Sequence, residues 1–342
     1  MMPSLPRRIL QTSVPRSGPR WFGAVLAVLL LVAAVVGLVA HFRAGGRVWV
    51  LAVSAFAPYL MVGAPLALLV LLAARLWLPS VLALGLTAAC VATQLPLYVA
   101  TAPPAQSTSL MVMTSNLKLG SAQASSVVDA VRRHRVDVLM LEELTAPEQR
   151  RLMAAGLGRV LPHHISDPAY AALGTGLWSR YPLSDTVSRH DFAFRFVTAR
   201  ISPPHVTRPV QLGAAHMAGP YPTPTNWHAD IAHLPSVLRT LGAGRTAIVA
   251  GDLNATPDET QFRALLTDGW EDGADQAGAG YTRTYPSDRS FPPLIAIDHV
   301  LTHRAVATSA QTVEIDGSDH RALVERIALP RSRPVHDVKV AA

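Results

Sequence analysis

The sequence predicts an α/β layered domain carried behind a small group of membrane-crossing helices. Three observations point there. Charge-poor apolar stretches fill most of residues 21–100. Beyond a Pro- and Ser-containing linker, short β-prone runs alternate with amphipathic helical runs. The chain also lacks a glycine-rich dinucleotide fingerprint, and its polar residues gather at the ends of the apolar runs, as in a layered α/β domain.

The apolar stretches come first. Trp21 to Ala40 is 20 residues without a charge, enough to cross a hydrocarbon core of ~30 Å at ~1.5 Å per residue. Val48 to Ala74 is 27 uncharged residues, able to span with tilt or a kink at Pro58 or Pro65. Leu76 to Ala100 is the third span, divided from the second by Arg75 alone. The first run is longer than a signal-peptide core and more spans follow it, which favours a multi-pass anchor. The expected organisation is a basic cytoplasmic tail over 1–20, spans near 21–40, 48–74 and 76–100, and a linker over 101–109. An α/β domain over 110–328 and a flexible tail over 329–342 complete it.

Charge supports this division. No Asp or Glu precedes Asp129, whereas seven Arg lie before residue 105. Residues 109–330 hold 20 Lys plus Arg against 22 Asp plus Glu, a balance of −2. The overall +7 therefore belongs to the membrane-flanking third and the short tail, and is no sign of a nucleic-acid surface on the α/β domain. With three spans, four tail Arg plus Arg75 fall on one side, and Arg43 and Arg47 on the other. The basic excess places the N-terminus in the cytoplasm and the α/β domain outside it, at the cell membrane. Cys90, the single cysteine, permits no internal disulfide and reads as a small buried hydrophobe.

In the α/β domain, Leu110–Thr114, Val136–Leu141, Thr175–Trp178, Val210–Ala214, Thr246–Ala250 and Leu294–Leu301 read as strands. Ala124–Arg135 and Ala229–Leu241 read as helices. Polar clusters sit at the strand ends. Gly251-Asp252-Leu253-Asn254 is the most informative: Asp252 and Asn254 are two apart, so an extended chain projects them from one face. A carboxylate beside an amide can hold a nucleophilic water against a phosphate. Asn116, Glu142-Glu143, His216, Asp298-His299 and Asp319-His320 occupy comparable places. Taken singly, Asn116 is an ordinary turn residue and His216 an ordinary satisfied polar group. An acidic pair closing a buried strand is costly unless it meets a cation or solvent. An Asp-His neighbour lets an Asp orient an imidazole from another cluster. Hard oxygen donors of this kind suit Mg²⁺ or Mn²⁺ better than Zn²⁺. The Pro-rich stretch from His216 to Asp230, with Tyr221, Trp227 and His228, reads either as a substrate-side loop or as a rigid surface connection. Tyr281–Tyr285 either brings aromatics and Arg283 to the substrate or pairs as an edge strand. The basic run Arg132–Arg135 reads as a solvated helix face or a contact with lipid headgroups.

The order of these clusters resembles the endonuclease/exonuclease/phosphatase superfamily, the metal-dependent phosphohydrolases related to DNase I, abasic-site endonucleases, sphingomyelinases and inositol polyphosphate 5-phosphatases. The matching segments are Ser115-Asn116-Leu117, Leu141-Glu142-Glu143-Leu144, Gly176-Leu177-Trp178-Ser179-Arg180-Tyr181-Pro182, His216, Gly251-Asp252-Leu253-Asn254, Ile297-Asp298-His299-Val300-Leu301 and Ser318-Asp319-His320. They cover roughly residues 109–327. The resemblance implies a four-layer α/β sandwich, two β-sheets packed face to face and flanked by helices. It implies Glu143 as the main Mg²⁺ ligand, with Asn116 and Asp319 nearby. Asp252 would position or deprotonate the attacking water, Asn254 and His216 would hold the phosphate, and His320 would contact it with Asp298 as its orienting partner. Two departures stand out. Glu142 replaces the usual Gln and leaves a second carboxylate to share the ion, and Leu253 replaces the commoner Phe.

The sequence-level expectation is thus a membrane-anchored, Mg²⁺- or Mn²⁺-dependent phosphohydrolase held in the lipid bilayer by its N-terminal helices. Its substrate would be a phosphodiester, in nucleic acid or a lipid headgroup, or a phosphomonoester. A catalytically inactive, membrane-tethered binding or sensory module is the alternative, weakened because Glu143, Asp252, Asn254, Asp319 and His320 are all present. A transporter is disfavoured, because the apolar spans carry no acidic residue.

Overall fold

The structure, a computed structural model, describes residues 18–206 and 208–331. The expected basic tail lies outside the described residues up to position 17, and so does the expected flexible tail beyond 331. The N-terminal part is helical: α1 (Gly18–Phe42), α2 (Val48–Ala55), α3 (Ala57–Met61), α4 (Gly63–Ala73) and α5 (Trp77–Gln94). Trp21–Phe42 and Trp77–Tyr98, 22 residues each, are long and apolar enough to cross a bilayer. The expected span over 48–74, with its kink at Pro58 or Pro65, is a bent pair, Val48–Ala55 and Ala57–Ala73 meeting at 57°. Pro58 accounts for the break. It has no N–H to donate, and its ring would meet the carbonyl of Ser54 if the helix ran on. Counted as one span, the pair makes three. At Gly63 a Cβ would lie 2.4 Å from the carbonyl oxygen of Leu30, so glycine is what lets α4 lie against α1.

The remainder folds into two six-stranded sheets among the described residues. The first has strand order β11 (Val306–Val313), β12 (Ala322–Pro330), β1 (Ser107–Asn116), β2 (Val138–Glu142), β4 (Thr175–Ser179), β3 (His163–Asp167). The second has β5 (Ser184–Arg189), β6 (Phe196–Ile201), β7 (Val210–His216), β8 (Thr246–Asp252), β10 (Asp298–His303), β9 (Trp270–Asp272). Alternation along the strands sorts the layers. Leu110, Val112, Val138 and Met140 face inward to meet Leu212, Ala214, Ile248 and Ala250 of the other sheet. On the outer face of the first sheet, Met113, Leu139 and Leu141 pack on Val127 and Val131 of α6 (Ala124–Arg133), Leu152 of α7 (Ala146–Ala154) and Leu157 of α8 (Leu157–Val160). On the outer face of the second, Ala247 and Val249 pack on Leu234, Val237 and Leu241 of α9 (Thr225–Gly242) and Phe262 of α10 (Thr260–Arg263). The result is the four-layer α/β sandwich, behind helices apolar enough to span a membrane. The layering explains why Val138–Leu141 reads as an unbroken apolar run: all of β2 is buried, with packing on both faces.

Two segments depart from the sequence reading. Leu294–Ile297 is not part of a strand, so Asp298 opens β10 rather than closing a run that begins at 294. Trp227 and Asp230 lie on α9 with their side chains buried, so the stretch from 216 to 230 is a loop only up to Pro224.

A polar joint holds the membrane helices to the sandwich. Asp258, buried in the loop after β8, accepts from His41 Nδ1 of α1 at 2.7 Å and Gln94 Nε2 of α5 at 2.9 Å. The Tyr281 hydroxyl donates to its other oxygen at 3.3 Å. Arg263 Nη2 donates to the carbonyl of His41, and Gln261 Nε2 to that of Gly45 at 2.8 Å. Removing the shared acceptor strands several buried donors, each costing ~1–3 kcal/mol. Asp258→Ala is therefore expected to destabilise the detergent-solubilised protein by about 3 kcal/mol. Thermal unfolding measures this, and an unchanged midpoint would show that the joint contributes no stability.

Candidate active site

The two parallel strand pairs, β1 with β2 and β7 with β8, end at the same edge of the sandwich. Asn116 lies opposite Glu142 across the first pair, and His216 opposite Asp252 across the second. Strand β10 runs antiparallel to β8 and begins there, which sets Asp298 directly opposite Asp252. The loop entering β12 adds Ser318, Asp319 and His320. All eight residues singled out in the sequence thus come to one edge, with Asp252 in the middle.

Hydrogen bonds define the arrangement. Asn116 Nδ2 donates to Asp252 Oδ2 at 3.0 Å and to Glu143 Oε1 at 3.2 Å, bridging the two sheets. Its Oδ1 accepts from the amide of Lys118 at 2.8 Å and keeps a second lone pair. The Leu119 amide donates to Glu143 Oε2. His320 Nδ1 lies 2.8 Å from Asp298 Oδ2, and its Nε2 points to Asp252 Oδ2 at 3.7 Å. His216 Nε2 approaches the same Asp252 oxygen from the other side at 3.6 Å. The Asn254 amide donates to Asp252 Oδ1 at 2.9 Å, and Asn254 Nδ2 to the Met217 carbonyl at 2.9 Å.

Backbone shape aims these groups. Glu143 and Asn254 have φ of 56° and 49°, the left-handed region, so each turns its side chain out of the preceding strand's alternation. Gly251 must be glycine: with φ 153° a Cβ there would stand 1.7 Å from the carbonyl oxygen of Ala215 on β7.

Burial and charge divide the titratable groups. Burial pushes the Asp252 carboxyl up, with Asp298 adding to the rise and His320 opposing it, to about 7. The Glu143 carboxyl is also raised by burial, against the hydrogen bonds from Asn116 and Leu119. Burial works against charge on His320, but Asp298 and Asp252 outweigh it and lift the imidazole to about 10. Asp298 in turn stays below its usual range because His320 overcomes its burial. His216 is driven down to about 3, first by burial and then by the charge of His320. Its Nδ1 lies 3.2 Å from the Ala172 carbonyl, so the neutral ring donates there and turns the Nε2 lone pair toward Asp252.

Glu142 does not join this group. Its side chain is wholly buried, Thr114 donates to it at 2.8 Å, and burial raises its carboxyl far above the ordinary range. The second carboxylate available to share an ion is therefore a neutral acid inside the sandwich. Three residues were not anticipated. The Ser318 hydroxyl donates to the Asn116 carbonyl at 2.7 Å and accepts from the His320 amide at 3.0 Å, tying the β12 loop to β1. The Tyr285 ring lies 4.9 Å from that of His320, and Phe194 4.5 Å from that of His216. Ser318 and Tyr285 stood in segments already singled out, whereas Phe194 carried no signal.

The edge opens into a cavity of about 510 Å³ lined by Glu143, His216, Asp252, Asn254, Asp319 and His320 among others. No Lys or Arg lines it among the described residues. Glu143, Asp252 and Asp319 of that set bring three carboxylates to the cavity, and among the described residues lining it His320 is the side chain drawn to a positive charge. Their donor chemistry fits a hard divalent cation. Asp252, Asp298 and His320 also present one ligand atom each within 4.8 Å of one another. That trio is already joined by the His320–Asp298 hydrogen bond, and a doubly protonated imidazole has no lone pair for a metal.

A model of the endonuclease/exonuclease/phosphatase family matches residues 113–320. No curated protein matches the chain. Among solved structures, D. rerio TDP2 humanized by 14 mutations is similar with a TM-score of 0.55 at 14% identity, over 64% of this chain and 98% of that one. D. rerio TDP2 complexed with single-strand DNA product gives 0.54 at 14% identity, over 64% and 99%. An endonuclease/exonuclease/phosphatase from Beutenbergia cavernae gives 0.53 at 19% identity, over 66% and 72%. At these identities the likeness is one of fold.

The Gly251 geometry carries its own test. Gly251→Ala is expected to separate β8 from β7 and to cost about 3 kcal/mol or more. Thermal melting together with loss of activity measures it, and a variant that melts like the parent would refute the close approach.

Proposed function

Because the chain belongs to the endonuclease/exonuclease/phosphatase family, we propose that it is a membrane-tethered, divalent-metal-dependent phosphoester hydrolase acting at the Asp252 edge. The observation that carries this reading is Asp252 itself. Its Oδ2 is held by Asn116 and flanked at 3.6 and 3.7 Å by two histidines, one of them hydrogen-bonded to Asp298. This is the arrangement that activating a water beside a phosphate requires.

Each residue has a task in that reading. Asp252, with its carboxyl near neutrality, orients the water and takes its proton. His320, kept cationic by Asp298, faces a non-bridging phosphate oxygen. Asn254 holds a second oxygen with the amide hydrogen not given to Met217. His216 contributes when a phosphate arrives, since the added negative charge favours protonation of Nε2 and makes it a donor. Glu143, Asn116 and Asp319 would hold Mg²⁺ or Mn²⁺, which when bound supplies positive charge to the phosphoryl oxygens. The water oxygen bonds to phosphorus, the bond to the ester oxygen breaks, and that oxygen leaves with a proton. No oxidant or reductant is involved.

The packing of the helices supports this tethering and an orientation. A Cβ on Gly23 near the start of α1 would touch Val70 and Ala74 at the end of α4, while the far end of α1 meets the sandwich through His41. Arg75 therefore lies with the N-terminus and away from the sandwich. Combined with the basic excess on that side, this supports an extracytoplasmic active site on a multi-pass anchor.

Hydrolysis of bis(p-nitrophenyl) phosphate by the full-length protein in detergent is expected with Mg²⁺ or Mn²⁺ and not with chelator. Glu143→Ala, Asp252→Ala and His320→Ala are each expected to lower kcat by about 100- to 1,000-fold. Turnover that survives chelator, or a His320→Ala variant at the parental rate, would overturn the assignment.

A further inference from the structure

One wall of the active-site cavity comes from outside the family domain. Val48, Leu51, Ala52 and Ala55 of α2, with Phe56 at its end, line the same space as Glu143, Asp252 and His320. This helix is the first limb of the bent apolar pair, set at 57° to the rest of it. It sits beside the end of α1 nearest the sandwich, where the Ser54 hydroxyl donates to the Ala40 carbonyl at 3.0 Å. The helix is held firmly. The Tyr59 hydroxyl donates to the Leu294 carbonyl at 2.6 Å, and the loop before α2 is held by Gln261 and by His228, whose Nε2 lies 2.9 Å from the Gly46 carbonyl. Trp49 of this helix is 63% exposed, and the spanning helices likewise expose large apolar side chains.

Resting on the hydrolase reading above, we propose that the site takes its phosphoester from the membrane, as a lipid whose headgroup phosphate enters the Asp252 edge. The first methylenes of its chain lie on the α2 wall. Three features favour this substrate over nucleic acid. A polynucleotide needs cations along its phosphates, and no Lys or Arg lines the cavity among the described residues. Lys118, two residues past Asn116, is engaged with Asp288 at 2.9 Å. A wall of Val, Leu, Ala and Phe offers nothing to a sugar–phosphate backbone, whereas the apolar chain of a lipid can lie on it without entering water. A cavity of about 510 Å³ also accommodates one headgroup and the start of a chain, the rest continuing along α2 into the bilayer. The reaction is the hydrolysis already described: water adds to phosphorus, and the lipid or headgroup alcohol departs with the proton.

The test uses full-length protein in mixed micelles with Mg²⁺. Its probes are phosphatidylglycerol and phosphatidic acid of graded chain length, bis(p-nitrophenyl) phosphate and a single-stranded DNA oligonucleotide. For a lipid substrate, kcat/KM of the parent protein is expected to rise with chain length. Ala52→Lys, which sets a charge on the wall at an exposed position, is expected to lower the ratio of lipid to soluble-diester kcat/KM by about ten-fold or more. Hydrolysis of the soluble diester or DNA without hydrolysis of either lipid would overturn this inference and leave the hydrolase reading standing. So would lipid hydrolysis indifferent to both chain length and Ala52→Lys. Silence on every probe would overturn both.

Discussion

The register of β7, β8 and β10 forces acidic groups together: parallel pairing sets His216 beside Asp252, and antiparallel pairing sets Asp298 across from it. Strand β2 brings Glu142 and Glu143 to the same edge from the other sheet. Burying so many carboxyls would be prohibitive if each carried a full charge into a dry interior. The structure answers at each position separately. Burial raises the Glu142 carboxyl far above its ordinary range, and Thr114 donates to one of its oxygens. Asp298 remains ionised through contact with His320, which it keeps cationic. Asp252, between them, receives hydrogen bonds from Asn116 and the Asn254 amide and titrates near neutrality. Acid, base and counter-charge thus arise from environment rather than from residue type.

The same edge shows why polar residues at strand ends become a site only in certain backbone shapes. If Glu143 merely continued β2, alternation would place it on the face opposite Glu142, among the helices covering the first sheet. Its left-handed φ swings it to the cavity instead, where Asn116 and the Leu119 amide receive it. Asn254 makes the equivalent turn after β8. Gly251 permits the close approach of β7 that keeps Asp252 level with His216.

Much of this was legible in the sequence. Apolar runs ending in Asn116, Glu143, His216 and Asp252 announced strands whose ends carry chemistry, and the structure places those ends together. What escaped detection did so for physical reasons. Strand β5 lies at a sheet edge with nearly every residue exposed, so no alternation marks it. Leu294–Ile297 is tied to Tyr285 by backbone hydrogen bonds and a single bridge at Ile295, and periodicity cannot distinguish such an apolar segment from a strand. Trp227 stood among prolines and seemed part of a loop, yet it anchors the buried face of α9. Glu142 and Glu143 are adjacent and chemically alike. Only the fold shows that one is a buried neutral acid and the other faces the cavity.

The N-terminal helices, finally, are joined to the loop that follows β8. Asp258, which gathers His41 of α1 and Gln94 of α5, lies only a few residues beyond Asp252 and Asn254 on one loop. Thr256 and Glu259 of that loop line the cavity, and the Glu259 carboxyl, pushed up by burial to about 8, accepts from the Thr256 amide. A shift of α1 or α5 relative to the sandwich would therefore pull on the segment that positions Asn254. The loop binds α1 and α5 at one end and carries Asn254 at the other, while α2 closes the same cavity. Such coupling needs no moving lid, because the hydrogen bonds from Tyr59, Gln261 and His228 hold wall and site in one frame. The N-terminal helices thus form one wall of the cavity, and the register of β7, β8 and β10 sets which groups face it.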